Sequence, residues 1–103
     1  MVDYEIKDNV LVKCTVTEGD TVADDIPESV TSIGDGAFIG CKGLTKVIIP
    51  NSVTRIGDKA FSDCYSLASI EIPNSVTSIG YFAFKGCYAL KDVTIPRNVE
   101  VIG

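Results

Sequence analysis

The chain repeats itself, and nothing else in it limits the fold so strongly. The segments IPESVTSIGDGAFIGCKGLTKVI, IPNSVTRIGDKAFSDCYSLASIE and IPNSVTSIGYFAFKGCYALKDVT begin at Ile26, Ile49 and Ile72, a spacing of 23 residues. A fourth copy, IPRNVEVIG, occupies Ile95 to Gly103. A fixed period of this size marks a solenoid, in which each unit buries its apolar face only by stacking on its neighbours. The chain divides accordingly into an aperiodic N-terminal β capping segment, residues 1–25, and a repeat array, 26–103. The array has units at 26–48, 49–71 and 72–94 and a partial unit at 95–103.

Each position in the unit has its own physical role. Leu44, Val47 and Ile49 form an L-x-x-V-x-I pattern that returns as Leu67, Ile70, Ile72 and as Leu90, Val93, Ile95. This is the spacing of a leucine-rich repeat, where short parallel strands line one face. Strands are expected near 45–49, 68–72 and 91–95. Side chains alternate along a strand, so Val47 and Ile49 point inward while Lys46 and Ile48 point outward. Pro27, Pro50, Pro73 and Pro96 follow, and a missing N–H ends the ladder there. Next come an apolar pair (Val30 and Ile33 in the first unit), an Ala-Phe pair (Ala37-Phe38) and a cysteine (Cys41). Gly34, Gly57 and Gly80 are expected at turns with a backbone angle that other residues disfavour. A short helical or 3₁₀ turn through Ala-Phe-x-x-Cys is expected to carry the chain back opposite the strands.

The first 25 residues break the period. Tyr4 and Ile6, then Val10, Val12, Cys14 and Val16, alternate as two strands around Asp8-Asn9, with Asn tolerating the left-handed turn conformation. Thr21 to Asp25 lacks the Leu and Val of the later units, which leaves the register of any strand there open. Asp20, Asp24 and Asp25 lack the spacing of an EF-hand loop and read as a solvated acidic cap rather than a calcium site.

Composition excludes several functions. Cys41, Cys64 and Cys87 share one repeat position and are expected to form a column of buried, free thiols behaving as small hydrophobes. Stacked side chains point the same way, three thiols cannot all pair, and tetrahedral zinc needs ligands that converge. With no histidine, Ser-His, Cys-His and His-metal chemistry is absent, and no catalytic residue, cofactor or metal is expected. A net charge of −5 offers no basic stripe for nucleic acid. No segment is long and apolar enough to span a membrane, and the N-terminus lacks a signal-peptide pattern.

The motif I-P-x-S-V-T-x-I-G-x-x-A-F-x-x-C-x-x-L-x-x-V-x, nearly intact three times, resembles the BspA-like type of leucine-rich repeat. The Tyr4-to-Val12 segment is similar to the hairpin that often precedes such arrays. The resemblance implies a solenoid and a non-enzymatic protein–protein interaction module, of the kind found in bacterial surface or secreted adhesins. An extracellular or cell-surface location follows from the same likeness.

Outward strand positions form two candidate binding columns, Lys46, Ser69 and Asp92 beside Ile48, Glu71 and Thr94, whose variety suits specificity. A second candidate surface is the Tyr81-Phe82 pair with Tyr65 and Tyr88, because exposed aromatics favour interfaces. These rings equally suit a ladder, or a cover for a neighbouring repeat. The alternative function is a small stand-alone inhibitor that occludes a target protein. Val99 and Ile102 copy core positions without a polar cap, so self-association through that end is also expected.

Overall fold

The computed structural model describes residues 2–16, 21–93, 95–99 and 101–102. Its strands are β1 (Val2–Lys7), β2 (Val10–Val16), β3 (Thr21–Ala23), β4 (Ser32–Ile33), β5 (Leu44–Ile48), β6 (Arg55–Ile56), β7 (Ser69–Glu71), β8 (Ser78–Ile79), β9 (Asp92–Val93) and β10 (Val101–Ile102). The L-x-x-V-x-I segments supply β5, β7 and β9, close to the expected positions, of a parallel sheet β3-β5-β7-β9 whose first strand comes from the aperiodic segment. Opposite it runs a second sheet, β1-β2-β4-β6-β8-β10, parallel except for the β1–β2 hairpin. The chain is a solenoid of parallel coils.

Between the sheets lies one core. Leu44, Val47, Leu67 and Ile70 from the first sheet meet Ile33, Ile56 and Ile79 from the second, all buried. Phe38, Phe61 and Phe84 stack in a column, with centroids 4.7 and 5.6 Å apart. Burial thins along the array. Phe84, Cys87, Leu90 and Val93 are only partly covered, and Ile95 is 45% exposed.

The return segment differs from the expected helical turn. Among the described residues it holds no helix. It is a run of tight turns, Ala37 N–H to Gly34 O, Ile39 to Gly36 and Cys41 to Phe38. Left-handed residues interrupt each run: Gly36 and Gly40 in one coil, Lys59 and Asp63 in the next, Phe82 and Gly86 in the third. A helix cannot propagate through such residues.

The conserved-looking glycines of the Ile-Gly step also have another cause than the expected one. Gly34, Gly57 and Gly80 are not left-handed; they lie against the preceding coil. A Cβ on Gly57 would sit 2.7 Å from Asp35 N and 2.9 Å from Gly34 C, and one on Gly80 would sit 2.5 Å from Asp58 N. Coil spacing, not turn geometry, demands the missing side chain.

At the N-terminus the hairpin turns on Asp8 and Asn9, at φ of 52° and 65°. A register shift between Glu5 and Ile6 leaves Val12 unpaired, so the alternation breaks there: Leu11 and Cys14 are buried while Val12 is exposed. A bulge of this kind places two residues opposite one and resets the inward side. Asn9, Leu11 and Cys14 thereby act as a coil. Their carbonyls and amides bond to Thr31, Gly34 and Ala37 as those of each coil bond to the next. Cys14 takes the place in this ladder that phenylalanine holds in later coils. Val22 and Ala23 pair with Lys46 and Val47, which supplies the register of the segment after it.

Polar side chains tie the coils together in columns. Thr54 and Thr77 donate from Oγ1 to the carbonyls of Thr31 and Thr54, each at 3.3 Å. Cys64 and Cys87 donate from Sγ to Phe38 O at 3.0 Å and Phe61 O at 2.9 Å, and Cys41 donates to Cys14 O at 3.5 Å. In the opposite sense, Asp35 and Asp58 accept the backbone N–H of Asp58 and Tyr81 on the following coil, each at 2.8 Å.

Candidate functional site

The outward side of β3-β5-β7-β9 gathers most of the candidate residues. Strand register aligns Lys46, Ser69 and Asp92 in one column and Ile48 with Glu71 in its neighbour. Thr94, the sixth position, lies outside the described residues. Lys46 reaches Glu71 diagonally across the coils at 3.4 Å, and both side chains remain substantially exposed. An exposed pair of this kind contributes little stability, so these residues are free to serve a surface.

Two shallow depressions open on this face. One, of about 350 Å³, is lined by Glu28, Ile48, Ile49, Pro50, Asn51, Glu71, Ile72 and Pro73. The other, of about 300 Å³, is lined by Ser69, Ile70, Glu71, Ile72 and Asp92. They share Glu71 and Ile72, so the two adjoin as one shallow trough lined by isoleucines and prolines together with polar side chains and carboxylates. Glu28, Pro50 and Pro73 were not among the residues singled out from the sequence. Pro50 and Pro73 share the repeat position just past the strand and Glu28 holds the one after it, so the 23-residue period was the available signal.

The aromatic candidates separate into two groups. Tyr65 and Tyr88 stack with centroids 5.7 Å apart, nearly parallel, and Lys42 lies over Tyr65 at 5.7 Å. Lys42, Tyr65 and Tyr88 share one repeat position, so this is a ladder with a cation at one end. Tyr81 and Phe82 sit on a different edge, where Lys85 covers the Phe82 ring at 5.1 Å. Phe82 is 56% exposed and left-handed, at φ 56°. That conformation costs an L-residue about 1–2 kcal/mol. Tyr81, in turn, replaces the aspartate that accepts the next coil's amide in the first two units.

The thiols are free, with Cys14, Cys41 and Cys64 buried and Cys87 half-buried. The hydrogen bond with Cys41, and then burial, push the Cys14 thiol up, and Cys64 is raised in the same way by Cys87 and burial, while the same hydrogen bonds lower the partners Cys41 and Cys87. Cys14 and Cys64 therefore resist ionisation. Tyr4 is raised by burial and by its hydrogen bond to Asp25. That contact ties down one of the N-terminal carboxylates; Asp20 lies outside the described residues, and no cluster of metal ligands occurs among those described.

Repeat register, buried Ala-Phe steps and inter-coil cysteine bonds define a specific architecture, and a family described as the BspA type leucine rich repeat region (6 copies) matches residues 5–103. The chain belongs to the BspA-type leucine-rich repeat family. No curated protein sequence matches it. Similar solved structures include a leucine-rich repeat protein of Bacteroides ovatus, 34% identical with a TM-score of 0.86, matched over 99% of this chain and 30% of that one. The T. pallidum leucine rich repeat protein is 30% identical, with a TM-score of 0.85 over 99% of this chain and 50% of that one. A leucine rich cell surface protein of Faecalibacterium prausnitzii is 34% identical, with a TM-score of 0.86 over 98% of this chain and 27% of that one. This BspA-type array thus spans half or less of the length of these relatives. Members of the family are generally scaffolds without enzymatic activity, and protein-interaction modules. No helix among the described residues is long and apolar enough to cross a membrane.

Proposed function

We propose that this BspA-type array recognises a protein through the outward face of β3-β5-β7-β9, as part of a surface or secreted, adhesin-like protein. One observation carries the reading. Core, turn and ladder positions repeat from coil to coil, whereas Lys46, Ser69 and Asp92, and Ile48 and Glu71, differ at aligned positions around an open trough. Uniform residues would suffice for solubility. The surface location draws support from the Faecalibacterium prausnitzii neighbour described as a cell surface protein.

Affinity capture from the source cells and their surroundings tests the reading with two variants. Ser69→Arg with Glu71→Arg on the strand face is expected to abolish capture of the partner. Tyr65→Ser with Tyr88→Ser, on the aromatic ladder, is expected to leave it intact. The reverse pattern would move the binding surface to the aromatic ladder. Self-association is proposed at the thinly covered coil of Phe84, Leu90 and Val93 beside exposed Ile95, and sedimentation over a concentration series reads it directly.

A further inference from the structure

We propose that the trough on the strand face takes an extended peptide segment that alternates cationic and aliphatic side chains. The inference rests on that face being the binding surface, and it names what the face selects. The trough's apolar part is formed by Ile48, Ile72 and the rings of Pro50 and Pro73. The residues lining the trough include the carboxylates Glu28, Glu71 and Asp92 and no cation, and Lys46 beside them is paired with Glu71 at 3.4 Å. Three carboxylates less one ammonium leave a local charge of −2.

The carboxylates are spread across the coils rather than clustered. Glu28 follows β3, Glu71 ends β7 and Asp92 begins β9. Parallel strands lie about 4.8 Å apart, so Glu28 and Glu71, two coils apart, are separated by roughly 10 Å across the sheet and by three repeat positions along it. A segment running diagonally over the coils from Glu28 to Glu71 and Asp92 meets an acidic side chain, the isoleucines and prolines, and then acidic side chains again. A compact cation would satisfy one carboxylate and leave the floor wet. An alternating extended chain places apolar groups on the isoleucines and prolines while its cations reach the rim. Such charge complementarity sets specificity and association rate.

The probe is a fluorescein-labelled octapeptide alternating Lys and Val, compared with Glu-Val and Lys-Ser octapeptides by anisotropy in 0.15 M salt. The Lys-Val probe is expected to bind at least tenfold more tightly than either control and to weaken as salt is raised. Glu71→Gln with Asp92→Asn should weaken it about tenfold. Lys46→Ala should tighten it several-fold, because removing the internal cation frees Glu71. Circular dichroism confirms that each variant remains folded. Equal binding of the Lys-Val and Glu-Val probes, or weaker binding by Lys46→Ala, overturns the proposal. If that happens while the strand-face variants still lose their captured partner, the selection is wrong and the surface assignment stands. If the strand-face variants retain the partner, the surface assignment itself fails.

Discussion

At the scale of single residues, the array is governed by what cannot be accommodated. Gly57 and Gly40 illustrate two different reasons for a glycine. Gly40 is left-handed, at φ 70°, with nothing within 4 Å of a hypothetical Cβ. Gly57 has an ordinary backbone angle but faces Asp35 N at 2.7 Å and Gly34 C at 2.9 Å. Gly40→Ala exchanges left-handed strain against a stiffer unfolded chain, for a net loss of about 0.5–1 kcal/mol. Gly57→Ala forces two coil backbones apart in a close-packed interior, a loss of at least about 2 kcal/mol. Urea titration of both variants distinguishes them. Equal losses would mean that coil contact is not what excludes the side chain at Gly57. The sequence invites the opposite expectation, since a recurrent glycine after an apolar pair looks like a turn.

At the scale of elements, the inter-coil aspartates add a link that backbone ladders alone do not provide. Asp58→Ala removes the acceptor for Tyr81 N–H and is expected to cost about 1 kcal/mol, since an exposed edge lets water replace part of the bond. Asp58→Asn keeps an oxygen there and should recover more than half of that loss. Thermal unfolding of the pair checks it, and identical melting temperatures would remove the aspartate column from the account.

The elements also show what could be read in advance. The first sheet was legible because Leu44, Val47 and Ile49 carry both its burial and its alternation. The second sheet was not, because β4, β6 and β8 are two residues long and bury one isoleucine each, too little for a period to register. The return segment looked helical because Ala, Phe and Cys recur at turn spacing. Lys59, Asp63 and Phe82 conceal their left-handed backbone behind side chains that do not advertise it. Of the candidate site, the strand columns followed from the repeat itself. The trough floor did not, since prolines announce the end of a strand and say nothing of the surface they line.

At the scale of the whole molecule, the buried thiols set a limit on the alkaline side. Cys14 and Cys64 titrate above their ordinary value of 9.0 in the folded chain, and Tyr4 above 10.0. Below about pH 8 both folded and unfolded chains keep these protons, so their contribution is constant. As pH rises through 9 the unfolded chain releases protons that the folded chain retains. Unfolding is then favoured, and stability falls with further increase in pH. The partner thiols Cys41 and Cys87 are shifted down, so the raised groups are read above pH 9, where melting temperature measured to pH 10.5 should decline, and decline less steeply in Cys64→Ala. A melting temperature that climbs above pH 9 would contradict the burial of these groups.

The threonine and cysteine links described above all reach toward the coil that came earlier in the chain, and each aspartate presents its oxygen to the coil that comes later. The molecule therefore has a direction built into its side chains. On the ribosome, the first coil, with its hairpin, emerges before anything that depends on it. Every later coil meets, as it leaves the exit tunnel, carbonyls and carboxylates presented by the coil before it, and supplies carbonyls in return to amides such as those of Phe38 and Phe61. Synthesis and assembly run the same way, each coil completing the one before it and being completed in turn by the one after.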